Sequence, residues 1–198
     1  MPRINNLQIM EIKYNNSQIE FHKKELESFL KADKECAKIT ILEKTEALYG
    51  GENTIDKEWC DKNNIPYSQG ELIQFTGCII AVKGNLTLDI KKKSYGGEAA
   101  GDKFSKALCE YLKRKGLNTV RQDNNDVLVD DYKVASCAEV SLPDGYEYIA
   151  YQISINQDLN AIKHACLKPM VKAPKGLGEY GITTEEMVEF CKDYWSKN

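Results

Sequence analysis

DNNDVLVDDYKVASC, residues 123–137, is the stretch whose reading decides the fold. Two short β-rich runs, VLV and YKVASC, flank the pair Asp130 and Asp131, and two such residues between strands read as a hairpin turn. On plain strand alternation Lys133, Ala135 and Cys137 share one face, and Tyr132, Val134 and Ser136 the other. A lysine then faces small residues, which leave room for a ligand carboxylate or phosphate to meet its ammonium. An edge-strand lysine that reaches solvent and guards against aggregation satisfies the same pattern. On the partner strand Asn125 and Asp126 precede the apolar run, setting an amide and a carboxylate at the end from which a metal-bound nucleotide could be held. A simple Asx turn would use the same two residues.

Outward from this hairpin, NTVRQ before it and YEYIAYQISI after it are also β-rich, with PDG as a further turn. Four such segments predict a largely antiparallel meander. Ahead of them, Phe104, Leu108 and Leu112 make one helical face, closed by Lys113, Arg114, Lys115 and Gly116. ELIQFTGCIIAV and NLTLDI read as strands joined through Lys83 and Gly84, with Gly77 interrupting the first, and AKITILEK (37–44) as a further strand. The run Lys91 to Lys93 reads as the start of a solvated loop, the alternative being a surface that greets an acidic partner. Helices are expected over 17–33, after Thr54 as a cap, near 158–166, and after the capping box Thr183 to Glu186. The fold class is therefore α/β with a largely antiparallel meander, and one domain is expected over residues 1–198.

A formal charge of -3 and a pI near 5.6 give no general field for phosphate backbones, so nucleic acid is not an expected partner. The 7 cysteines are spread without a C-x-x-C pair, which points to free thiols in a reducing compartment and to no structural zinc. No run has the length of a signal peptide core or a membrane span, so a cytoplasmic location without membrane partners is expected. Cys78 and Cys137 are candidate nucleophiles, against a buried structural reading that needs no lowered thiol pKa.

The hairpin ND-VLVD-DYKVAS resembles that of the lipoate and biotin protein ligase family, where an Asn-Asp pair opens one strand and the essential lysine follows the turn. FTGCIIAVKGNLTLDI resembles the same family's glycine-rich ligand loop, with Thr76, Gly77, Gly84, Asn85 and Leu86 matching. FSKALCEYLKRKGLNTVRQ between the two motifs and ISINQDLNAIKHACLKPMVKAPKGL after them also match, in the family's order, over roughly residues 37–178. This resemblance implies a fold, a mixed, largely antiparallel sheet flanked by helices, and an activity: activation of a short-chain carboxylic acid, lipoate or octanoate, by ATP with magnesium, and transfer to a lysine of a lipoyl-type acceptor protein. It assigns catalysis to Lys133, magnesium to Asp126, and ligand contacts to Thr76, Gly77, Cys78, Gly84, Asn85, Asn125 and Ser136. Gln74 and Phe75 stand where the family carries paired arginines, and Cys78 and Ile79 replace two glycines. A ligase-like module that binds a small molecule or a protein without chemistry is the alternative. A related branch transfers octanoyl groups through a cysteine; Cys166 is the nearest thiol to that position, which falls at Lys168.

Overall fold

A computed structural model describes residues 9–13, 24, 27–41, 48–50, 53–69, 84–94, 97–167 and 170–197. Seven strands form the main sheet: β1 (Ile9–Lys13), β2 (Cys36–Ile41), β5 (Asn85–Lys93), β6 (Thr119–Arg121), β7 (Val127–Val129), β8 (Tyr132–Ser141) and β9 (Tyr146–Ser154). Their spatial order is β1-β2-β5-β9-β8-β7-β6. All neighbours from β2 to β6 are antiparallel, and β1 adds to the edge of β2 in parallel. Short β3 (Leu48–Gly50) and β4 (Tyr67–Gln69) pair separately, in parallel. The expected meander is present as β6 to β9.

One face of the sheet carries Ile39, Leu88, Tyr151 and Ala135 and their in-register neighbours, covered by α2 (Ala100–Arg114) and α4 (Thr184–Lys197). Phe104, fully buried, lies at the centre: its ring meets Tyr151 edge-on at 4.8 Å and stacks on Trp195 at 5.4 Å. The capping box at α4 forms as expected, the Glu186 N–H donating to Thr183 Oγ1 at 3.2 Å and the Thr183 N–H reaching back to the Glu186 carboxylate at 3.5 Å. A smaller cluster of Ile55, Cys60, Ile162 and Ala165 joins α1 (Lys57–Lys62) to α3 (Leu159–Ala165).

Three local expectations need correction. Asp56, not Thr54, caps α1, its carboxylate accepting from the Trp59 N–H at 2.9 Å. Aspartate caps at least as well as threonine, and Thr54 is buried with its carbonyl accepting from the Leu167 N–H. Lys91 to Lys93 are not a solvated loop but the end of β5. Lys91 is fully buried, and its ammonium donates to the carbonyls of Leu30 and Ala32 and to Asp144 at 2.9 Å. It terminates the helical segment 27–31, the described part of the helix expected over 17–33, as a cation at a helix C-terminus should. The third correction concerns the strand that bears Lys133.

Candidate functional site

The turn between β7 and β8 is made by Asp130 and Asp131, both in the left-handed region with φ of 49° and 70°. Two successive positive φ values give the turn whose twist matches a right-handed hairpin. Three residues beyond, the register shifts: Leu128 opposes Lys133, but Val127 opposes Ala135, so Val134 is an extra residue in β8. Both Val134 and Ala135 join the helix-covered core, as adjacent residues at a bulge do. Leu128 and Val127 are consecutive on β7 and point to opposite faces, so their partners Lys133 and Ala135 do too. The alternation expected from sequence is therefore broken. Lys133 does not share a face with Ala135 and Cys137; the inserted Val134 turns it onto the opposite face, the one that carries Ser136 and Ala138.

The bulge also brings Lys133 to Asp126, two residues before Leu128 and on the same face. Lys133 Nζ lies 2.8 Å from Asp126 Oδ2, with the aspartate side chain 9% exposed and the lysine side chain 32%. Asp126 is fixed by its neighbours: Asn124 Nδ2 donates to Oδ2 at 3.0 Å, and the Gln122 N–H donates to the Asp126 carbonyl at 2.9 Å. Asn125, at φ 65°, faces the other way. Its amide oxygen accepts from Arg121 at 2.8 Å and from Ser105 at 3.1 Å, and its carbonyl accepts from the buried Tyr151 hydroxyl. Arg121 in turn pairs with Asp102 of α2 at 2.7 Å. These contacts tie the turn to the helix layer. The Lys133 backbone is held from its second side, donating to the Ala173 carbonyl and accepting from the Lys175 N–H.

The face that carries Lys133 continues as a polar floor. Cross-strand register sets Thr40, Thr87, Gln152 and Ser136 in one row, Lys38 and Asp89 in the next, and Asn85 opposite Ser154. Except for half-buried Ser136, every one of these side chains is buried. Asn85 and Ser136 thus stand on the same face as the Lys133–Asp126 pair. Thr40, Thr87, Asp89, Gln152 and Ser154 were not singled out from sequence. The signal was there, polar residues at every second position of NLTLDIK and YQIS, but it reads equally as the solvated face of an ordinary strand. Only the central places of β5 and β9 in the sheet separate the two.

Gly84 has a structural part of its own. At φ +84° it packs so closely on the turn after β9 that a Cβ there would sit 1.9 Å from the Asn156 carbonyl oxygen, and its own carbonyl accepts from the Asn156 N–H at 2.8 Å. Thr76, Gly77 and Cys78 lie outside the described residues, as does the strand expected ahead of Gly84. Cys137 is on the helix side, where burial, with Glu139 and Asp126 adding, pushes its thiol up to about 12. It is a protonated packing residue at neutral pH. Cys166 follows α3, bridged to Ile55, and none of the 6 described cysteines is in a disulfide. His164 stacks on Trp59 at 5.6 Å.

Among the described residues no group of three or more His, Cys, Asp and Glu side chains could hold a metal ion, and no helix is long and apolar enough to cross a membrane. A magnesium ion held mainly by a ligand's phosphates needs only one or two carboxylates. Asp126, buried and fixed in orientation, fits that lesser requirement.

The largely antiparallel sheet thus carries α2 and α4 on one face and the Lys133–Asp126 pair on the other. No family model and no curated protein matches the sequence. Solved structures do match. The chain is similar to a bi-partite lipoate protein ligase from Thermoplasma acidophilum, described with its E2 lipoyl domain, with a TM-score of 0.73 at 14% identity over 96% of this chain and 82% of that one. It is similar to lipoate-protein ligase A bound with ATP, with a TM-score of 0.72 at 14% identity over 93% of this chain and 82% of that one. It is also similar to LipL1 of P. falciparum in complex with lipoate, with a TM-score of 0.71 at 16% identity over 96% of this chain and 61% of that one. At these identities the likeness is one of fold.

Proposed function

We propose that this protein is a ligase-type acyltransferase that activates a small carboxylic acid with ATP and passes the acyl group to a lysine of a lipoyl-type acceptor protein. The observation that carries this reading is the bulge at Val134, which aims Lys133 at Asp126 on the polar face of the sheet. In the first step an oxygen of the acid attacks the α-phosphorus of ATP and pyrophosphate leaves. In the second, the acceptor amine attacks the acyl carbon, losing a proton, and AMP leaves. Both steps redistribute negative charge between a carboxylate and a phosphate, and a fixed ammonium in a water-poor site stabilises that charge more strongly than water does. Lys133 is that ammonium. Asp126 orients it, and would hold magnesium together with the nucleotide phosphates, the ion's part being to offset their charge. The fold neighbours bound to ATP and to lipoate, and the one described with an E2 lipoyl domain, support the choice of substrates and acceptor. Asn85 and Ser136 line the floor beside the lysine, and Asn125 positions the turn. Thr76, Gly77 and Cys78 are assigned to the ligand loop by the sequence resemblance alone. A single domain serves both steps.

The test is the intact mass of a lipoyl acceptor domain incubated with the protein, magnesium-ATP and a panel of acids including lipoate and octanoate. A mass increase equal to the acyl group is expected, and Lys133→Ala should lower its rate by at least about 10²-fold while the protein stays folded. A second reading, a ligase-like module that binds without chemistry, draws on one observation: Asp126 already neutralises Lys133 at 2.8 Å. Under that reading no acceptor gains mass, and magnesium-ATP leaves the melting temperature unmoved.

A further inference from the structure

Lys133 stands just beyond the point where β8 meets β9. From Ala135 to Ser141, β8 pairs with β9 on the side away from β7. At Lys133 the segment 173–175 takes over that side. Lys133 bridges Pro174 in parallel, its N–H donating to the Ala173 carbonyl at 2.9 Å and its carbonyl accepting from the Lys175 N–H at 3.0 Å. Without this strap the Lys133 backbone would lack a protein partner on one side, and a strand so released opens easily.

Little apolar packing holds the strap. Val171 is 96% exposed, Ala173 is exposed, and Met170 packs into the separate cluster around Ile55. Its lysines hold it instead. Lys172 pairs with Asp131 of the turn, but that aspartate side chain is 75% exposed, and such surface pairs contribute little in water. Lys175 is held better: Nζ lies 4.4 Å from the centre of the Tyr180 ring and 5.2 Å from that of Tyr132, both within the range of a cation–π contact. A hydrogen bond with the Tyr180 hydroxyl, with Glu179 adding, keeps the ammonium's pKa above the usual lysine value. That hydroxyl in turn donates to the Val129 carbonyl at 3.3 Å. Val129 and Tyr132 oppose each other at the base of the Asp130–Asp131 turn, so Lys175 joins the strap to both strands of the hairpin. Tyr132, the neighbour of Lys133 along β8, points to the other face, and Tyr180 packs against the helix-covered core. The Lys175 ammonium is therefore on the side of the sheet away from the Lys133 ammonium.

We infer that Lys175 is a positioning residue for Lys133: its ammonium, set between the Tyr132 and Tyr180 rings, locks the strap to the hairpin and so fixes the place from which the Lys133 side chain starts. This rests on the reading of Lys133 as the ammonium that meets the carboxylate and phosphate. Lys175, on the opposite face, acts only through the backbone. A neutral side chain of similar length would lose both cation–π contacts and the bond to the Tyr180 hydroxyl, leaving the strap to the exposed Lys172–Asp131 pair. Arginine would keep a cation that stacks on aromatic rings. The loss falls on geometry, and a misplacement of about 1 Å can cost about 10²-fold in rate.

The experiment compares wild type, Lys175→Met and Lys175→Arg as full chains, by amide hydrogen exchange in NMR and by the acceptor mass assay. In Lys175→Met the Lys133 amide is expected to exchange at least about tenfold faster, while the amide of fully buried Leu108 in α2 keeps its rate. Transfer should slow by about 10- to 100-fold. Lys175→Arg should restore both, which a residue acting as a mere spacer would not require. Equal protection of the Lys133 amide in wild type and Lys175→Met overturns the inference, as does undiminished transfer by Lys175→Met. Should Lys175→Met not fold, Tyr180→Phe decides. It keeps the ring and cuts the link to Val129, so a smaller rise in exchange at the Lys133 amide is expected, and no rise overturns the inference. The ligase reading fails separately, when the wild-type protein transfers nothing to any acceptor; the exchange comparison then still tells whether Lys175 holds Lys133 in place.

Discussion

The two faces of the main sheet are built by the same strands, residue by residue in alternation, yet they obey different rules. The helix-covered face is apolar through its centre, with Ile39, Leu88 and Tyr151 packed under α2 and α4 and against Phe104 of α2. The other face is buried too, but beside a small apolar cluster of Phe29, Cys36, Tyr148 and Ala150 it carries lysine, threonine, asparagine, aspartate and glutamine. Burial therefore says nothing by itself about purpose: on one face it is the source of stability, on the other a cost. The contrast is sharpest in β5, where Leu86, Leu88 and Ile90 alternate with Asn85, Thr87 and Asp89, and all six are buried.

Substitutions can break this contrast, and the largest effect belongs to chemistry. Lys133→Ala, the variant already set against the acceptor mass assay, should abolish transfer with the fold intact; loss of the fold instead would place Lys133 among the packing residues. Next in size is Phe104→Ala on the helix-covered face, which should cost about 3–5 kcal/mol in chemical denaturation, and a loss below about 1 kcal/mol would show that the core does not pivot on this ring. Thr40→Val, on the polar face, should do the reverse. Replacing an unanswered buried hydroxyl with a methyl of similar shape is expected to be neutral or to stabilise by up to about 1 kcal/mol, measured as the denaturation midpoint, and a clear destabilisation would mean that the hydroxyl is bonded after all.

The smallest effect is a matter of pH. Glu139, on the helix side, accepts from the backbone N–H groups of Gly101 and Ala100 at the start of α2, and burial, helped by Glu147, raises its pKa above the usual carboxylate value. A group that binds its proton more tightly when folded stabilises fully below its unfolded pKa of about 4.3, and that contribution is lost as pH rises through the higher folded value. Glu139→Gln imitates the protonated form. It should therefore raise the melting temperature slightly at pH 7 and make no difference near pH 4; equal shifts at both pH values would assign the effect to something other than this titration.

Much of the fold was legible because its signals are local. The Asp130–Asp131 turn, the Thr183–Glu186 capping box and the Phe104, Leu108, Leu112 stripe each announce themselves within a few residues, and each is present. The partners of β2 and the parallel addition of β1 depend on contacts across the chain and left no such mark. At the site, the nearness of Asp126 to Lys133 could be read from the hairpin, but the face could not. A single inserted valine, ordinary in composition, reverses the direction of every residue on one side of it. The polar floor escaped for a different reason: Thr87 and Asp89 look like solvated positions until β5 is known to lie between β2 and β9.

The glycines near the end of β9 bear on how the chain comes together. Gly84, Gly176 and Gly178 all press against the turn 155–157, each so close that an added Cβ would lie within 2.2 Å of its backbone or of the Asn156 side chain. Segments from three distant parts of the chain must meet at one point, with no slack for any of them to arrive out of place. Such a junction pays its loop-closure entropy before any contact repays it, so it forms late. The Lys133 backbone is bonded to Ala173 and Lys175, immediately before this junction. Because Ile155 and Leu177 of this junction also belong to the helix-covered core, refolding should restore that core and the second-side support of Lys133 together, when the glycine junction locks.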